Sequence, residues 1–441
     1  MSTVLRPDAR PVPRGRRLVP GLATARGVAL VPLLVLAGLA SNLFSGNAWR
    51  IGLPLGPDRL LLGAAILMAL LEGRRRAVPA RVEWLMLAFS AWVLLSMLTH
   101  PEPFDSVAVY GFVDRVAMPF VLFALGGVVF STPERRDLLL AVLTAIGLWL
   151  GLTALLEIAE PGLVLPRYVV DPDIGLGFGR ARGPFLSPEG MGAALALCGA
   201  AAVALAVRRP RWRTLAGAVA LLDLVGVGLA LTRAMWIAAA LALVVAFVLA
   251  PALRRVITSV VVAGGVGLFS LLAAVPAAST VLTERGSDAR PVYDRLGSNE
   301  AAGRILADLP WTGIGWRRFF PEAAEWVRQA DTYPINNVVI EVHNVLLSRA
   351  AELGIPAAVC FVAVLVLGPF AVLGQRPQGD LAVWRVLSVA CLTVWVVGGF
   401  FGPMATPFPT FVAWLVAGVA LGSAAVPVTS RRTTPSEEAL A

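Results

Sequence analysis

Two histidines, His100 and His343, and 37 basic residues, all of them arginine, are the side chains with the clearest chemical potential. An imidazole titrates near neutral pH, so His343 could move a proton there. It follows the β-branched run Val338-Val339-Ile340 and opens a helical pattern in which His343, Leu347, Ala350 and Gly354 share a face. Glu341 and Asn344 stand close enough to orient the ring. An interfacial histidine that only packs and hydrogen-bonds fits the same pattern. His100 stands in His-Pro at a helix end, where capping accounts for it.

Arg180 and Arg182 belong to Arg-Ala-Arg-Gly-Pro-Phe-Leu-Ser-Pro-Glu, just before an apolar run, and Arg233 follows Thr232 at the end of another. Guanidinium groups at such depths are costly unless they are paired or face a polar cavity. They either line an anion site or snorkel to the headgroups. Asp223 lies ten positions before Arg233, about 15 Å of helical rise, too far to pair along one helix. It needs a partner from another helix. Asp58, Glu102 and Asp105 could in principle hold a divalent ion, but no spacing recommends it and solvated loop acids fit them. Cys198, Cys360 and Cys391 sit in apolar runs and match neither a metal site nor a disulfide framework. There is no Walker A loop, His-Glu-x-x-His or Gly-x-Ser-x-Gly.

The elements that carry these residues are written in the hydropathy. The 441 residues are 58% hydrophobic and only 15% charged, against about a quarter charged for a soluble domain. The net charge of +9 does not mark a nucleic-acid partner, because the arginines fall in short clusters between apolar runs. Those runs approach the roughly 20 residues that cross a hydrocarbon core. They predict an all-α polytopic membrane protein with about twelve transmembrane helices: 28–46, 58–72, 82–99, 116–131, 138–157, 189–207, 214–231, 234–252, 256–275, 354–373, 384–402 and 407–424. The N-terminus is basic, but its apolar run is long and lacks a small-residue cleavage site, so it reads as a retained span.

Arginine clusters orient the bundle. The N-terminal tail, Arg74-Arg75-Arg76, Arg135-Arg136, Arg208-Arg209, Arg254-Arg255, Arg376 and Arg431-Arg432 all fall on one side. Both termini are expected to be cytoplasmic. The chain then divides into a basic tail (1–27), nine spans (28–275), a long extracytoplasmic loop (276–342), a His-bearing helix with spans ten to twelve (343–424) and a second tail (425–441). The long loop has nine acids and seven arginines, so it is no general positive field. Asn299–Leu309 and Arg317–Gln329 read as short helices, separated by Pro310 and the Gly313-Ile314-Gly315 turn. Trp311, Trp316, Phe319, Phe320 and Trp326 suggest a loop lying on the bilayer interface.

Three blocks resemble the O-antigen ligase and polymerase superfamily, bacterial membrane glycosyltransferases that use undecaprenyl-diphosphate-linked glycans. Arg180-Ala181-Arg182-Gly183-Pro184-Phe185 is similar to the family's Arg-x-x-Gly-x-Phe segment. Leu231-Thr232-Arg233 is similar to its Ser-Arg element, with Thr for Ser. Asp294-Arg295 through Asp308-Leu309-Pro310, then Gly313-Ile314-Gly315, leads to His343-Asn344 and Gly354-Ile355, the spacing of the family's histidine motif. Asn299 stands where the family often has Trp, and Ala357 where many ligases have Gly, Thr or Tyr.

The resemblance implies a GT-C-like fold in the bacterial inner (plasma) membrane and an inverting, metal-independent transfer from undecaprenyl diphosphate to an acceptor hydroxyl. The acceptor would be lipid A core or a comparable glycan, as in lipopolysaccharide biosynthesis. His343 would be the base. Arg182, Arg233 and Arg295, with Arg180 in support, would bind the donor diphosphate; Asn344, Glu341, Gly313 and Gly315 would support them. No cofactor is implied. A polymerase of the same superfamily is the nearest alternative, and a small-anion transporter the alternative of another class.

Overall fold

The computed structural model describes residues 22–52, 56–72, 78–99, 102–175, 177, 179–251, 254–274, 289–338, 340–377 and 379–422. The basic tail to residue 21, Arg74-Arg75-Arg76, His100, the opening of the long loop (275–288) and the tail bearing Arg431-Arg432 lie outside the described residues.

Every regular element among the described residues is helical. In chain order the first helices are α1 (Leu22–Asn42), α2 (Pro57–Leu71), α3 (Ala80–Leu98), α4 (Ser106–Val129), α5 (Pro133–Ala159), α6 (Pro188–Arg208), α7 (Arg213–Leu229), α8 (Arg233–Leu249) and α9 (Arg254–Ala274). After a polar cap containing α10 (Arg290–Asp308) and α11 (Phe319–Trp326) come α12 (Val345–Leu367), α13 (Asp380–Phe401) and α14 (Pro407–Gly422). A helix therefore lies on each of the twelve segments expected to span. Seven of them, α3 to α7, α12 and α13, are long and apolar enough to cross a membrane; α8, α14 and the described part of α1 are apolar but shorter. Prolines punctuate the short ones: Pro57 opens α2, Pro251 follows the end of α8, and Pro407 opens α14.

α6 is the buried centre. Its Gly190, Gly192, Ala193, Ala194, Gly199, Ala201 and Ala202 are small, and α5, α7 and α13 pack against it. Asp223 and Arg233, expected on one span, sit on α7 and at the start of α8. Asp223 faces Gly147 and Gly151 of α5 and Gly199 of α6, and neither carboxylate oxygen has a hydrogen-bond partner among the described residues. Asp58 is buried rather than solvated; it accepts from Asn42 Nδ2 at 2.7 Å.

The two ends of the bundle differ in chemistry. At one end Arg136 of α5 and Arg208 of α6 reach Asp380 of α13, at 2.7 and 3.3 Å, while Arg208 and Arg209 hold Asp137. The opposite end carries the cap. There α10, α11 and residues 327–338 and 340–342 enclose Ala301, Ala302, Ile305, Phe319, Ala323, Val327, Ile335 and Val342, closed below by Ala351 of α12. α10 is longer than the expected Asn299–Leu309 because Pro291 starts it a turn and more earlier. α11 is shorter than the expected Arg317–Gln329, since Arg317 takes a positive φ of 63° and Val327 is extended. Trp316 and Phe319 are core residues, 1% and 2% exposed, whereas Trp311 and Phe320 lie on the surface. The aromatic set is thus split between packing and surface.

A kink joins cap and bundle. Gly354 (φ 84°, ψ 167°) breaks α12, and Pro356 two residues later has no N–H to give. The carbonyls so released do not stay unpaired. Those of Ala351 and Glu352 accept from Ile314 and Gly315 N–H, at 3.0 and 2.9 Å, and that of Leu353 accepts from Trp92 Nε1 at 3.1 Å. In return Ile355 N–H donates to the Pro310 carbonyl at 2.8 Å.

Candidate active site

Between the cap and the bundle end lies a cavity of about 740 Å³. Asn42 and Ser45 line it from the end of α1, Ser187 and Glu189 from the start of α6, Asp294 and Arg295 from α10, Met404 and Thr406 from the break before α14, and Glu341 and His343 from the approach to α12. Of the five non-glycine residues with positive φ among the described residues, Leu186 and Met404 line this cavity, while Arg317 and Leu231 hold side chains that shape it. Backbone strain of this kind costs about 1–3 kcal/mol per residue and concentrates at functional sites.

His343 precedes α12 instead of opening it. Asn344 is the N-cap, its Oδ1 accepting from Leu347 N–H at 3.1 Å, so it starts the helix and does not orient the ring. The ring is oriented by Glu341, whose carbonyl oxygen lies 2.8 Å from Nδ1. A carbonyl can only accept, so Nδ1 carries the proton and Nε2 of the neutral ring keeps its lone pair. Burial, then the charge of Arg295, hold the imidazole below its ordinary 6.5, with the Glu341 hydrogen bond partly offsetting them. The ring is therefore neutral and basic at Nε2 around physiological pH.

Glu341 is fixed from two sides. Arg115 donates both terminal nitrogens to its carboxylate at 2.9–3.0 Å, and Arg317 donates at 2.8 Å. Burial alone would raise this carboxyl, but the two guanidinium groups hold it down at about 2. Arg115 gets there from a π-helical turn, Val113–Ala117, inside α4. Beneath the pair, Arg349 and Glu352 of α12 lie 3.6 Å apart, both buried, with Arg349 over the Trp316 ring. None of Arg115, Arg317, Arg349 and Glu352 was singled out by sequence.

The four expected anion-binding arginines take different places. Arg295 lines the cavity, half-buried, and no hydrogen bond or ion pair holds its guanidinium among the described residues; it feels Glu189 as an attractive charge and Arg233 as a repulsive one. Arg233 is exposed at the first position of α8. Arg180 donates to the carbonyls of Ala230 and Leu231 at 3.0–3.1 Å and to Thr232 Oγ1 at 2.6 Å, tying its loop to the α7–α8 turn. Arg182 does not reach the cavity. It is 1% exposed, and its guanidinium donates to the carbonyls of Val169 (3.0 Å), Ile174 (2.5 Å) and Asp171. It organises the loop before α6. Gly313 and Gly315, with φ of 62° and 109°, form the turn docked on the kink; a Cβ at Gly313 would come within 2.5 Å of the Ala351 carbonyl.

Glu189 is the ionisable cavity residue that sequence reading passed over, although it ends the quoted Arg180 motif. Its signal is a carboxylate in the first turn of an otherwise apolar helix, after a Ser-Pro cap.

Fold and site together define a class: multi-pass membrane proteins in which a polar helical cap encloses a histidine–arginine cavity at one end of the bundle. Residues 218–362, from within α7 to within α12, match the O-antigen ligase family. Members of that family are membrane glycosyltransferase-type enzymes. The match includes Arg233, Arg295, Glu341 and His343 and leaves Arg180, Arg182 and Glu189 outside. Among curated proteins no match was found.

Proposed function

We propose that this chain transfers a glycan from undecaprenyl diphosphate to an acceptor hydroxyl on the extracytoplasmic face of the bacterial inner membrane, as an O-antigen ligase-like enzyme. The observation that carries this reading is the His343 ring, tied through Nδ1 to Glu341 with Nε2 free, in one cavity with the unengaged Arg295. Nε2 takes the proton of the acceptor hydroxyl as its oxygen attacks the anomeric carbon. The bond from that carbon to the phosphate oxygen breaks on the opposite side, its electron pair leaves with the diphosphate, and the configuration inverts. Arg295 stabilises the departing charge, with Arg233 and Arg180 nearby. Arg182 serves by holding the loop that carries Arg180. In this reading the chain has twelve spans with both termini cytoplasmic.

Guanidinium groups keep their charge at any working pH, so transfer needs no divalent ion to stabilise the leaving group. Purified protein, given lipid-linked donor and acceptor in EDTA, is expected to form the glycoside with inverted configuration and release undecaprenyl diphosphate. Loss of transfer in EDTA, restored by a divalent ion, would overturn the arginine assignment. The His343-Asn344 block favours ligase over polymerase. A deletion strain separates the two: full-length glycan left on the carrier marks a ligase, single repeats a polymerase.

A further inference from the structure

Glu189 has no part in the proton and diphosphate chemistry above, yet it sits in the same cavity. It is the second residue of α6, after the N-cap Ser187, where the helix terminus favours a negative charge. Its Oε1 is buried with no hydrogen-bond partner among the described residues. Arg295 of the cap and Glu341 line the same cavity. Gly402, at the end of α13, leaves room for Glu189. The extended backbone there (φ −156°, ψ 167°) suits any residue, but a Cβ would lie 1.8 Å from Glu189 Oε1. The carboxylate occupies the volume a side chain at 402 would fill.

The surroundings say what such a group can bind. Ser187, Thr406, Asn42 and Ser45 line the bundle side of the cavity with Glu189, whereas Arg295 lies on the cap side. A buried carboxylate oxygen without a donor is costly, and neutral donors, the hydroxyls of a sugar among them, satisfy it without adding charge. A phosphate is repelled by Glu189 and drawn to Arg295. One kind of ligand meets both demands, a sugar with free hydroxyls joined to an anionic diphosphate.

We propose that Glu189 is a sugar-binding residue: its carboxylate accepts hydrogen bonds from hydroxyls of the donor's first sugar, turning the diphosphate toward Arg295. This rests on the transferase reading and adds the orientation of the donor. The test is binding of two probes, a polyprenyl diphosphate bearing a sugar and the bare polyprenyl diphosphate, to the full chain in nanodiscs. Glu189→Gln is close in shape, and Gly402→Ala displaces the carboxylate without removing its charge. Both variants are expected to weaken the glycosylated probe roughly 10- to 100-fold, the range for hydrogen bonds to a charged group, and not to weaken the bare one. Equal weakening of both probes means that Glu189 acts only through Arg295, and an unchanged affinity for both means that it makes no contact; either result overturns the proposal while the transferase reading stands. Wild-type protein that binds neither probe overturns both.

Discussion

His343 and Arg295 act on one another, and that coupling can be measured. Arg295 is among the charges that hold the imidazole below 6.5. A general base works in its neutral form, so the rate is expected to fall on the acid side with a midpoint below 6.5. Arg295→Ala removes a positive neighbour, so that midpoint should move to higher pH while the maximal rate drops. A midpoint unmoved in the variant would show that the two groups do not share the site. Glu341 gives a second test, on stability. Its carboxyl sits at about 2 against an ordinary 4.5. A carboxylate depressed on folding contributes stability fully above its unfolded pKa, and the contribution is lost as pH falls through the folded one. Glu341→Gln is therefore expected to lower the Tm in detergent at about pH 7, the gap narrowing steadily below about pH 4.5. A gap that stays constant with pH would mean the Arg115–Glu341–Arg317 cluster is not what the charge supplies. At this scale the sequence showed which residue types could do chemistry, since a lone membrane-edge histidine and arginines at helix ends are conspicuous. It could not show Arg115 or Glu189. Arg115 meets Glu341 across 226 positions, and nothing local to either residue announces the contact. Arg182 was misplaced for the converse reason: its motif was visible, but the carbonyls of residues 169–174 that absorb it were not.

The kinked helix and the glycine turn form one clasp between the cap and the bundle. Gly313→Ala meets the Ala351 carbonyl at 2.5 Å and keeps a positive φ, a combination that should cost about 1–3 kcal/mol. The expected result is a lower Tm and faster proteolysis within the cap. Gly303→Ala in α10 is the control, because nothing lies within 4 Å of its added Cβ; it should be neutral or gain up to about 1 kcal/mol. If Gly313→Ala behaves like Gly303→Ala, the clasp does not hold the cap. Helix existence was legible here, because apolar runs and Gly-Pro punctuation are local. Helix ends were less so. Asn344 rather than His343 starts α12, which only the Leu347 N–H bond reveals. Phe319 faces inward because the cap has a core of its own, and Trp316 because it packs into the core of the bundle, whereas the expectation treated both as part of a loop lying on lipid.

For the whole molecule, two chemically unlike ends predict which side of the membrane each faces. Trp311, 72% exposed in the cap, offers a labelling site, since Cys198 and Cys391 are buried and Cys360 is half-buried. Trp311→Cys should react with an impermeant maleimide once the cap side is exposed to the reagent, as in spheroplasts, with the inner membrane sealed. Reaction only after the inner membrane is opened would invert the topology. The arginine clusters are what the expected orientation rests on, while the twelve-span count goes beyond the seven helices that satisfy length and hydropathy. The most direct test of the account is a transfer assay on the purified chain. Wild type and His343→Ala would be compared with lipid-linked donor and acceptor, after donor binding and Tm are shown to match. Wild-type transfer that falls by about 10²–10⁴-fold in His343→Ala, with donor binding retained, is the result the account predicts; undiminished transfer in the variant would contradict it.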